Sequence, residues 1–171
     1  GGAGRVAELG LSDRVLCSVH TGGKALGAGG AWVAGSATLV AHLVNHCRSF
    51  IYSTAPVPAL AAALQAAVRK RQGDDDRVAE LVGRAARFRA RLNAAGIDTG
   101  RSEGCIVPVM LGGSRRALAV AAALQADGFD VRAVRPPTVP EGSARLRITA
   151  RWPVGEGALN RLAARLEELV A

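Results

Sequence analysis

Lysine is scarce in this sequence, since only Lys24 and Lys70 occur among its 22 basic side chains. Lys24 follows a short apolar segment and lies in a run of small residues, TGGKALGAGG, at positions 21–30. Glycines on both sides of a lysine let a ligand approach the backbone closely. A lysine amine that is partly withdrawn from water can attack a carbonyl carbon and form a Schiff base. The same run is also typical of a solvated loop whose lysine has no chemical role.

A second candidate is the pair Arg145 and Arg147, which alternates with Leu146 and Ile148. A planar guanidinium group can bind a carboxylate through two parallel N–H donors. Alternation with apolar residues indicates a strand with one buried face. An arginine ladder on a solvated sheet face would show the same pattern, so the spacing leaves both interpretations open.

Metal chemistry has weaker support in the sequence. His42 and His46 are four residues apart, with Cys47 beside them, a spacing that could place two imidazoles on one metal. No further ligand lies nearby, so a polar helix face is the preferred interpretation and no metal is expected. The three cysteines, which include Cys17 and Cys105, are odd in number and widely separated. This pattern argues against a disulfide framework and favours a reducing, cytoplasmic compartment.

The net charge of +8 and the pI of about 10.9 make the chain attractive to anions. A nucleic-acid interface is disfavoured because only 4% of residues are aromatic and no standard binding module is present. No apolar run approaches the ~18 residues of a membrane span, so no membrane partner is expected. The best basic patch is a helix with four arginines, Arg84, Arg87, Arg89 and Arg91.

Hydrophobic periodicity and turn residues predict an alternation of strands and helices. Ser36 is the expected N-cap of the first helix, and Gly96 and Gly128 are expected helix stops. The last part has a β-α-β-β-α order, which predicts a small α+β layer with helices on one face of a single sheet. Strands are predicted over residues 14–19, 31–34, 105–111, 129–134 and 145–150, a short extended segment over 50–53, and helices over 37–48, 59–71, 77–95, 114–126 and 156–170.

Four separated motifs resemble those of the α-oxoamine synthases, a family of enzymes that use pyridoxal 5'-phosphate (PLP) and belong to the fold-type I aminotransferase class. The resemblance covers essentially the whole chain, and the last motif is closest to the alanine-using, biotin-pathway branch. The motifs are TGGKALGAGGAWVAGS at 21–36, FIYSTAP at 50–56, IDTG at 97–100 with Ser102 and IVP at 106–108, and RPPTVP at 135–140 followed by GSARLRIT at 142–149.

The resemblance implies a role for each matching residue. Lys24 matches the Schiff-base lysine that holds PLP and then takes the α-proton of the amino acid. Thr21 matches a contact to the cofactor phosphate, and Thr54 matches a contact to the cofactor phosphate of the other subunit. Arg147 matches the arginine that pairs with the amino-acid carboxylate, and Thr138 matches a contact to the substrate. Without the resemblance, Thr21 and Thr54 could simply cap turns.

The activity that the resemblance implies is a decarboxylative condensation of L-alanine with a pimeloyl thioester, carried by CoA or by an acyl carrier protein. The family also implies a homodimer with a shared active site. Glycine-using members of the family, of the glycine C-acetyltransferase or 5-aminolevulinate synthase type, are the first alternative. The second alternative is a truncated remnant without catalysis that has an interaction role.

The resemblance also implies the fold class, the C-terminal portion of a fold-type I PLP-dependent transferase. Residues 1–55 would end the large α/β domain, residues 56–96 would be long connecting helices, and residues 97–171 would form the small α+β domain. The family's Asp-x-x-His stretch, whose aspartate pairs with the cofactor ring, has no match in these 171 residues. Gly22 and Gly23 replace the usual bulkier residue plus small residue before the lysine, which we expect to loosen the loop.

Overall fold

The computed structural model describes residues 4–170. The chain divides into two compact units, Gly1–Asp76 (unit 1) and Arg77–Ala171 (unit 2). This boundary lies inside residues 56–96, the stretch predicted to connect two domains. The assignment of residues 1–55 to a large domain and of residues 97–171 to a small domain stays a prediction. The elements in chain order are α1 (Arg5–Glu8), β1 (Cys17–Thr21), β2 (Ala31–Gly35), α2 (Ala37–His46), α3 (Pro58–Gln72), α4 (Asp75–Ala94), β3 (Ile106–Gly112), α5 (Ser114–Ala126), β4 (Arg132–Val134), β5 (Ala144–Thr149) and α6 (Glu156–Val170).

Unit 1 is built on an antiparallel hairpin of β1 and β2, in which Thr21 pairs with Ala31 at the closed end. Helix α2 begins after Ser36, whose Oγ accepts a hydrogen bond from the Leu39 N–H at 3.2 Å. The predicted N-cap is therefore confirmed, and it satisfies one of the free N–H groups of the first turn. Helix α3 begins at Pro58, whose fixed φ suits the start of a helix.

The extended segment predicted over residues 50–53 is wrong, because these residues form a turn. The Ser53 N–H and its Oγ–H both donate to the Phe50 carbonyl oxygen, at 2.9 and 2.7 Å. The Phe50 N–H donates to the Cys47 carbonyl oxygen at 2.9 Å, which continues the turn from the end of α2. Serine side chains that bond to nearby backbone favour turns over strands, and this local effect exceeds the strand propensity of the segment.

Unit 2 contains a three-stranded sheet with the order β3-β5-β4, in which both neighbouring pairs are antiparallel. Burial alternates along β5, where Ala144, Leu146 and Ile148 are buried and the residues between them are not. The sheet therefore has one covered face and one open face. This arrangement confirms the predicted α+β layer.

Among the residues that the structure describes, all the buried hydrophobic side chains lie in unit 2, between Ala85 and Leu166. Leu92 of α4, Leu124 of α5 and Leu166 of α6 are each 0% exposed and pack in one cluster with the covered face of the sheet. Unit 1 instead exposes large apolar side chains, such as Leu16, which is 75% exposed. The two units therefore differ sharply in their interior packing.

Strand β4 begins at Arg132, three residues later than the prediction of 129–134. The preceding residues are used to end α5: Gly128 has a φ of 86°, and the Phe129 N–H donates to the Leu124 carbonyl oxygen at 2.9 Å. The side-chain amide of Gln125 donates to the Val131 carbonyl oxygen at 2.7 Å. Because these groups are bonded to the helix end, they cannot join the sheet ladder.

Two arginines of α4 form ion pairs with glutamates of α6. Arg87 donates to both carboxylate oxygens of Glu156, at 2.7 and 3.1 Å. Arg91 donates in the same way to Glu167, also at 2.7 and 3.1 Å. These hydrogen bonds hold the pKa of Glu156 and of Glu167 below the ordinary glutamate value. The helices are therefore joined by two charge-assisted pairs at the surface of unit 2.

We expect unit 2 to lose stability in acid through these pairs. Each glutamate has a lower pKa in the folded chain than in the unfolded chain, so the pairs stabilise the fold fully above the unfolded pKa. That contribution is lost as the pH falls through the lowered, folded-state value. In urea unfolding between about pH 7 and about pH 3, Glu156→Gln and Glu167→Gln should show a weaker pH dependence than the unchanged chain. Glu141→Gln is the control, because Glu141 forms no ion pair among residues 4–170; the same pH dependence in all three variants would contradict the expectation.

Candidate functional site

The candidate lysine lies in the loop that joins β1 to β2, residues 22–30, called the lysine loop below. Two hydrogen bonds close this loop at its base: the Gly22 N–H donates to the Gly30 carbonyl oxygen at 2.8 Å, and the Ala28 N–H donates to the Gly22 carbonyl oxygen at 3.0 Å. Within the loop, the Gly27 N–H donates to the Lys24 carbonyl oxygen at 3.1 Å, and Gly27 has a φ of 60°. The loop is thus a closed turn with a defined backbone path.

Gly22 is the buried residue of this loop. A Cβ atom at this position would lie 2.5 Å from the Ala28 carbonyl oxygen and would overlap the side chain of Leu64. A Cβ atom at Gly23 would have a single neighbour, the same carbonyl oxygen, at 4.0 Å. The close approach of Ala28 and Leu64 leaves no room for a side chain at Gly22. The expectation that the two glycines loosen the loop stays a prediction.

Lys24 is exposed, and among the described residues its ammonium group makes no hydrogen bond or ion pair. The N–H groups of Gly23 and Ala25 likewise have no hydrogen-bond partner in this part of the chain, whereas the Lys24 N–H closes a turn over Gly22 and Gly23. Thr21, the last residue of β1, is also exposed, and its hydroxyl has no hydrogen-bond partner among the described residues. The hairpin therefore brings the Lys24 amine, the Thr21 hydroxyl and the N–H groups of Gly23 and Ala25 into a five-residue segment.

Thr54 lies in the segment between the 50–53 turn and α3, and it is exposed. Among the described residues, no hydrogen bond joins Thr54 to Thr21 or to Lys24. Its predicted role concerns the cofactor of a second subunit, so contact with the lysine loop of its own chain is not required. That role stays a prediction.

Arg147 lies on β5, the central strand of the unit 2 sheet, opposite Pro108 on one side and Arg132 on the other. Its side chain is on the open face, it is exposed, and it has no hydrogen-bond partner or ion pair among residues 4–170. Arg145 is on the same face but is half-buried, and its Nε donates to the Ser143 carbonyl oxygen at 2.9 Å. Of the two arginines, Arg147 is the more exposed, and it has no hydrogen-bond partner among the described residues.

Thr138 lies in the loop between β4 and β5 and is exposed. Its N–H donates to the Arg135 carbonyl oxygen at 3.0 Å, and the Ser143 Oγ–H donates to the Pro140 carbonyl oxygen at 2.5 Å. The loop is thus held by short-range hydrogen bonds, and the Thr138 hydroxyl has no partner in the described residues. Both unit 2 candidates therefore present unused polar groups.

The four arginines of the basic helix are engaged within unit 2. Arg87 and Arg91 form the ion pairs described above, and the Arg89 guanidinium donates to the Gly104 carbonyl oxygen at 3.3 Å. Arg84 donates to the Val154 carbonyl oxygen at 2.9 Å and stacks over the Trp152 ring at 5.0 Å from its centre. These contacts give the four guanidinium groups a structural role, which weakens the interpretation of this helix as a basic patch.

The two histidines of α2 contact each other, and no third metal-binding side chain joins them among the described residues. The His42 and His46 rings are stacked, with their centres 4.3 Å apart. Across residues 4–170, no group of three or more potential ligands could hold a metal ion. In the same residues, no helix is both long and apolar enough to cross a membrane.

The sequence matches the profile of the family described as "Aminotransferase class I and II" over residues 2–166. Because this match covers nearly all of the chain, the chain belongs to that family. Two curated relatives are the 8-amino-7-oxononanoate synthases of Cupriavidus taiwanensis and Anaeromyxobacter dehalogenans, both 46% identical and both aligned over 99% of this chain. The alignments cover 44% and 43% of those proteins, so the chain spans a little under half of the length of the curated relatives it matches.

Solved structures of similar fold include serine palmitoyltransferase of Sphingomonas wittichii, with a TM-score of 0.89, 24% identity, and coverage of 98% of this chain and 43% of that one. Another is 8-amino-7-oxononanoate synthase of Francisella tularensis, with a TM-score of 0.79, 22% identity, and coverage of 91% of this chain and 45% of that one. These likenesses confirm the predicted fold class, a portion of a fold-type I transferase.

Proposed function

We propose that this chain is the lysine-bearing part of a PLP-dependent acyltransferase of the 8-amino-7-oxononanoate synthase type. The observation that carries the proposal is the free amine of Lys24 in a closed glycine-rich loop. Its support is the identity of 46% to two curated synthases of that name, over 99% of this chain.

The chemistry of the lysine loop fits the phosphate and aldehyde ends of PLP. The N–H groups of Gly23 and Ala25 and the Thr21 hydroxyl are donors of the kind that bind a phosphate. The Lys24 amine is the group that can bond to an aldehyde carbon. When bound, PLP supplies an electron-withdrawing ring that stabilises negative charge on the α-carbon of an amino acid. Residues that would hold that ring have no match in this sequence, so they must come from other residues of the complete enzyme.

In this proposal the exposed candidate residues have separate roles. The Lys24 Nζ would hold the cofactor and would accept the proton from the amino acid's α-carbon. Arg147 binds the amino-acid carboxylate through two N–H donors, and its fixed place on a central strand sets the orientation of that carboxylate. Thr138 contacts the substrate, and Thr54 contacts the cofactor phosphate of a second subunit.

The proposed substrates are L-alanine and a pimeloyl thioester of CoA or of an acyl carrier protein, and the reaction releases carbon dioxide and the free thiol. We further propose that the complete enzyme is a cytoplasmic homodimer that shares its active site between subunits. The odd number and wide spacing of the three cysteines support a reducing compartment. The net charge of +8 would attract the phosphates of CoA or of a carrier arm.

Covalent labelling tests the assignment of Lys24. The chain is incubated with PLP and reduced with borohydride, and the pyridoxyl groups on the Lys24 and Lys70 peptides are quantified by mass spectrometry. Lys70 is a built-in reference, because its side chain is 69% exposed and it is the second of only two lysines. We expect the label to favour Lys24 strongly, whereas Lys24→Arg leaves only the Lys70 label. Equal labelling of the two lysines would refute the assignment.

Substrate specificity is tested by the release of free CoA thiol from pimeloyl-CoA. Release that depends on L-alanine supports the proposed reaction, whereas release that depends on glycine favours the glycine-using members of the family. If Lys24 is labelled but neither amino acid supports turnover, the chain holds the cofactor lysine without catalysing the reaction alone, as the remnant interpretation expects.

A further inference from the structure

Helix α3 packs directly on the lysine loop through two leucines, Leu60 and Leu64. They are four residues apart, so they lie on the same face of the helix, and both are half-buried. Their methyl groups occupy the space that side chains would need at three loop glycines. A Cβ atom at Gly29 would lie 2.8 Å from Leu60 Cδ2, one at Gly30 would lie 3.2 Å from Leu64 Cδ1, and one at Gly22 would overlap Leu64 Cδ2.

These contacts involve both ends of the loop. Gly22 begins it and Gly29 and Gly30 end it, and the two ends are joined by the Gly22–Gly30 hydrogen bond. Glycine loses more conformational entropy on ordering than any other residue, and five of the nine loop residues are glycines. Backbone hydrogen bonds at the base of an exposed loop contribute little to overcoming that entropy. The leucine methyl groups supply the apolar contact that favours one loop conformation.

We infer that Leu60 and Leu64 are positioning residues for Lys24. They do not approach the reacting atoms; they hold the two ends of the loop so that the amine projects from one defined backbone. The inference rests on the proposed function of Lys24 as the cofactor lysine. Under this inference helix α3, which supplies no charged or polar group to the reaction, supports the cofactor lysine.

The first test uses the full chain with Leu60→Ala or Leu64→Ala and the PLP and borohydride labelling described above. We expect the ratio of Lys24 to Lys70 label to fall about tenfold, because a misplacement of about 1 Å can cost up to about a hundredfold in reaction rate. Gln65→Ala is the matched control, since Gln65 neighbours Leu64 on α3 but is exposed. Amide exchange of the β1–β2 ladder is measured in each variant as a check on the hairpin.

The inference is supported if the label ratio falls while the ladder amides stay protected and the Gly22 and Ala28 amides exchange faster. An unchanged ratio would overturn it, and so would a ratio that falls only together with ladder protection, because the leucines would then be merely structural. Failure of the proposed function is seen separately, as equal labelling of Lys24 and Lys70 in the unchanged chain. In that case the exchange of the Gly22 and Ala28 amides still tests whether the leucines order the loop.

A second test asks whether a substitution at Leu60 compensates for a substitution at Gly29. At Gly29 a Cβ atom would meet only Leu60 within 4 Å, and this glycine does not have a positive φ. Gly29→Ala should therefore lower the label ratio by displacing the loop, and adding Leu60→Ala should restore part of it because the new methyl group fills the vacated space. If the fold-changes in label ratio of the two single variants simply multiply in the double variant, Leu60 does not act on the loop through this contact. The positioning role of Leu60 is then refuted.

Discussion

Gly22→Ala is expected to disrupt the lysine loop, whereas Gly23→Ala is expected to leave it unchanged. The new Cβ atom at position 22 would lie 2.5 Å from the Ala28 carbonyl oxygen, which belongs to backbone held by the hydrogen bond between Ala28 and Gly22. Relief of this overlap requires movement of the loop, at a cost of about 1–3 kcal/mol. At position 23 the nearest atom would be 4.0 Å away, so the effect there should be within about 0.5 kcal/mol.

The measurement is amide exchange of the loop, combined with pyridoxyl labelling of Lys24 relative to Lys70. For Gly22→Ala we expect faster exchange of the Ala28 amide and about a tenfold loss of preference for Lys24, by the same misplacement argument. Gly23→Ala should resemble the unchanged chain in both. If the two variants behaved alike, burial of Gly22 would have no bearing on the lysine, and the close approach of Ala28 would not constrain the loop.

Leu146→Ala is expected to destabilise unit 2 by about 3–5 kcal/mol. Leu146 is 0% exposed on the central strand of the sheet and belongs to the cluster that joins the sheet to α4, α5 and α6. Neighbouring strands and helices contact it from several directions, so the cavity left by its removal cannot close without moving them. A loss of this size is a large fraction of the stability of a small domain.

Urea unfolding followed by helix circular dichroism measures this loss. Leu118→Ala is the control, because Leu118 lies on α5 but is 49% exposed, and surface changes of this kind are usually within about 0.5 kcal/mol. A shift below about 1 kcal/mol for Leu146→Ala would mean that the sheet and the helices do not share one tightly packed interior.

Local signals predicted the helices of unit 2 well. Helices α5 and α6 have the predicted bounds, 114–126 and 156–170, because apolar periodicity and the Gly128 stop are both local. The unpredicted helix α1 is a single turn of four residues, with an exposed ion pair between Arg5 and Glu8 at 3.0 Å. Such a short helix has no periodicity to detect.

Local sequence likewise predicted some features of the candidate site and missed others. The glycine run around Lys24 predicted a loop, and a loop is present. The requirement for glycine at position 22 could not be predicted from the local sequence, because it comes from the fold of the loop, which brings the Ala28 carbonyl oxygen beside it, and from Leu64, which is 42 positions away in the chain. Alternation placed Arg145 and Arg147 on one face, as observed, but only the coordinates show that Arg145 is bonded to backbone and Arg147 is not.

Within residues 4–170, the confinement of the buried apolar side chains to unit 2 has a thermodynamic consequence. Exposure of apolar surface is what raises the heat capacity when a protein unfolds, by about 12–15 cal/mol/K per residue of an ordinary globular domain. For the 95 residues of unit 2 this amounts to roughly 1.3 kcal/mol/K, whereas a chain of 171 uniformly packed residues would give roughly 2.3 kcal/mol/K. Calorimetry of this chain should therefore show the heat capacity change of a domain little more than half its length.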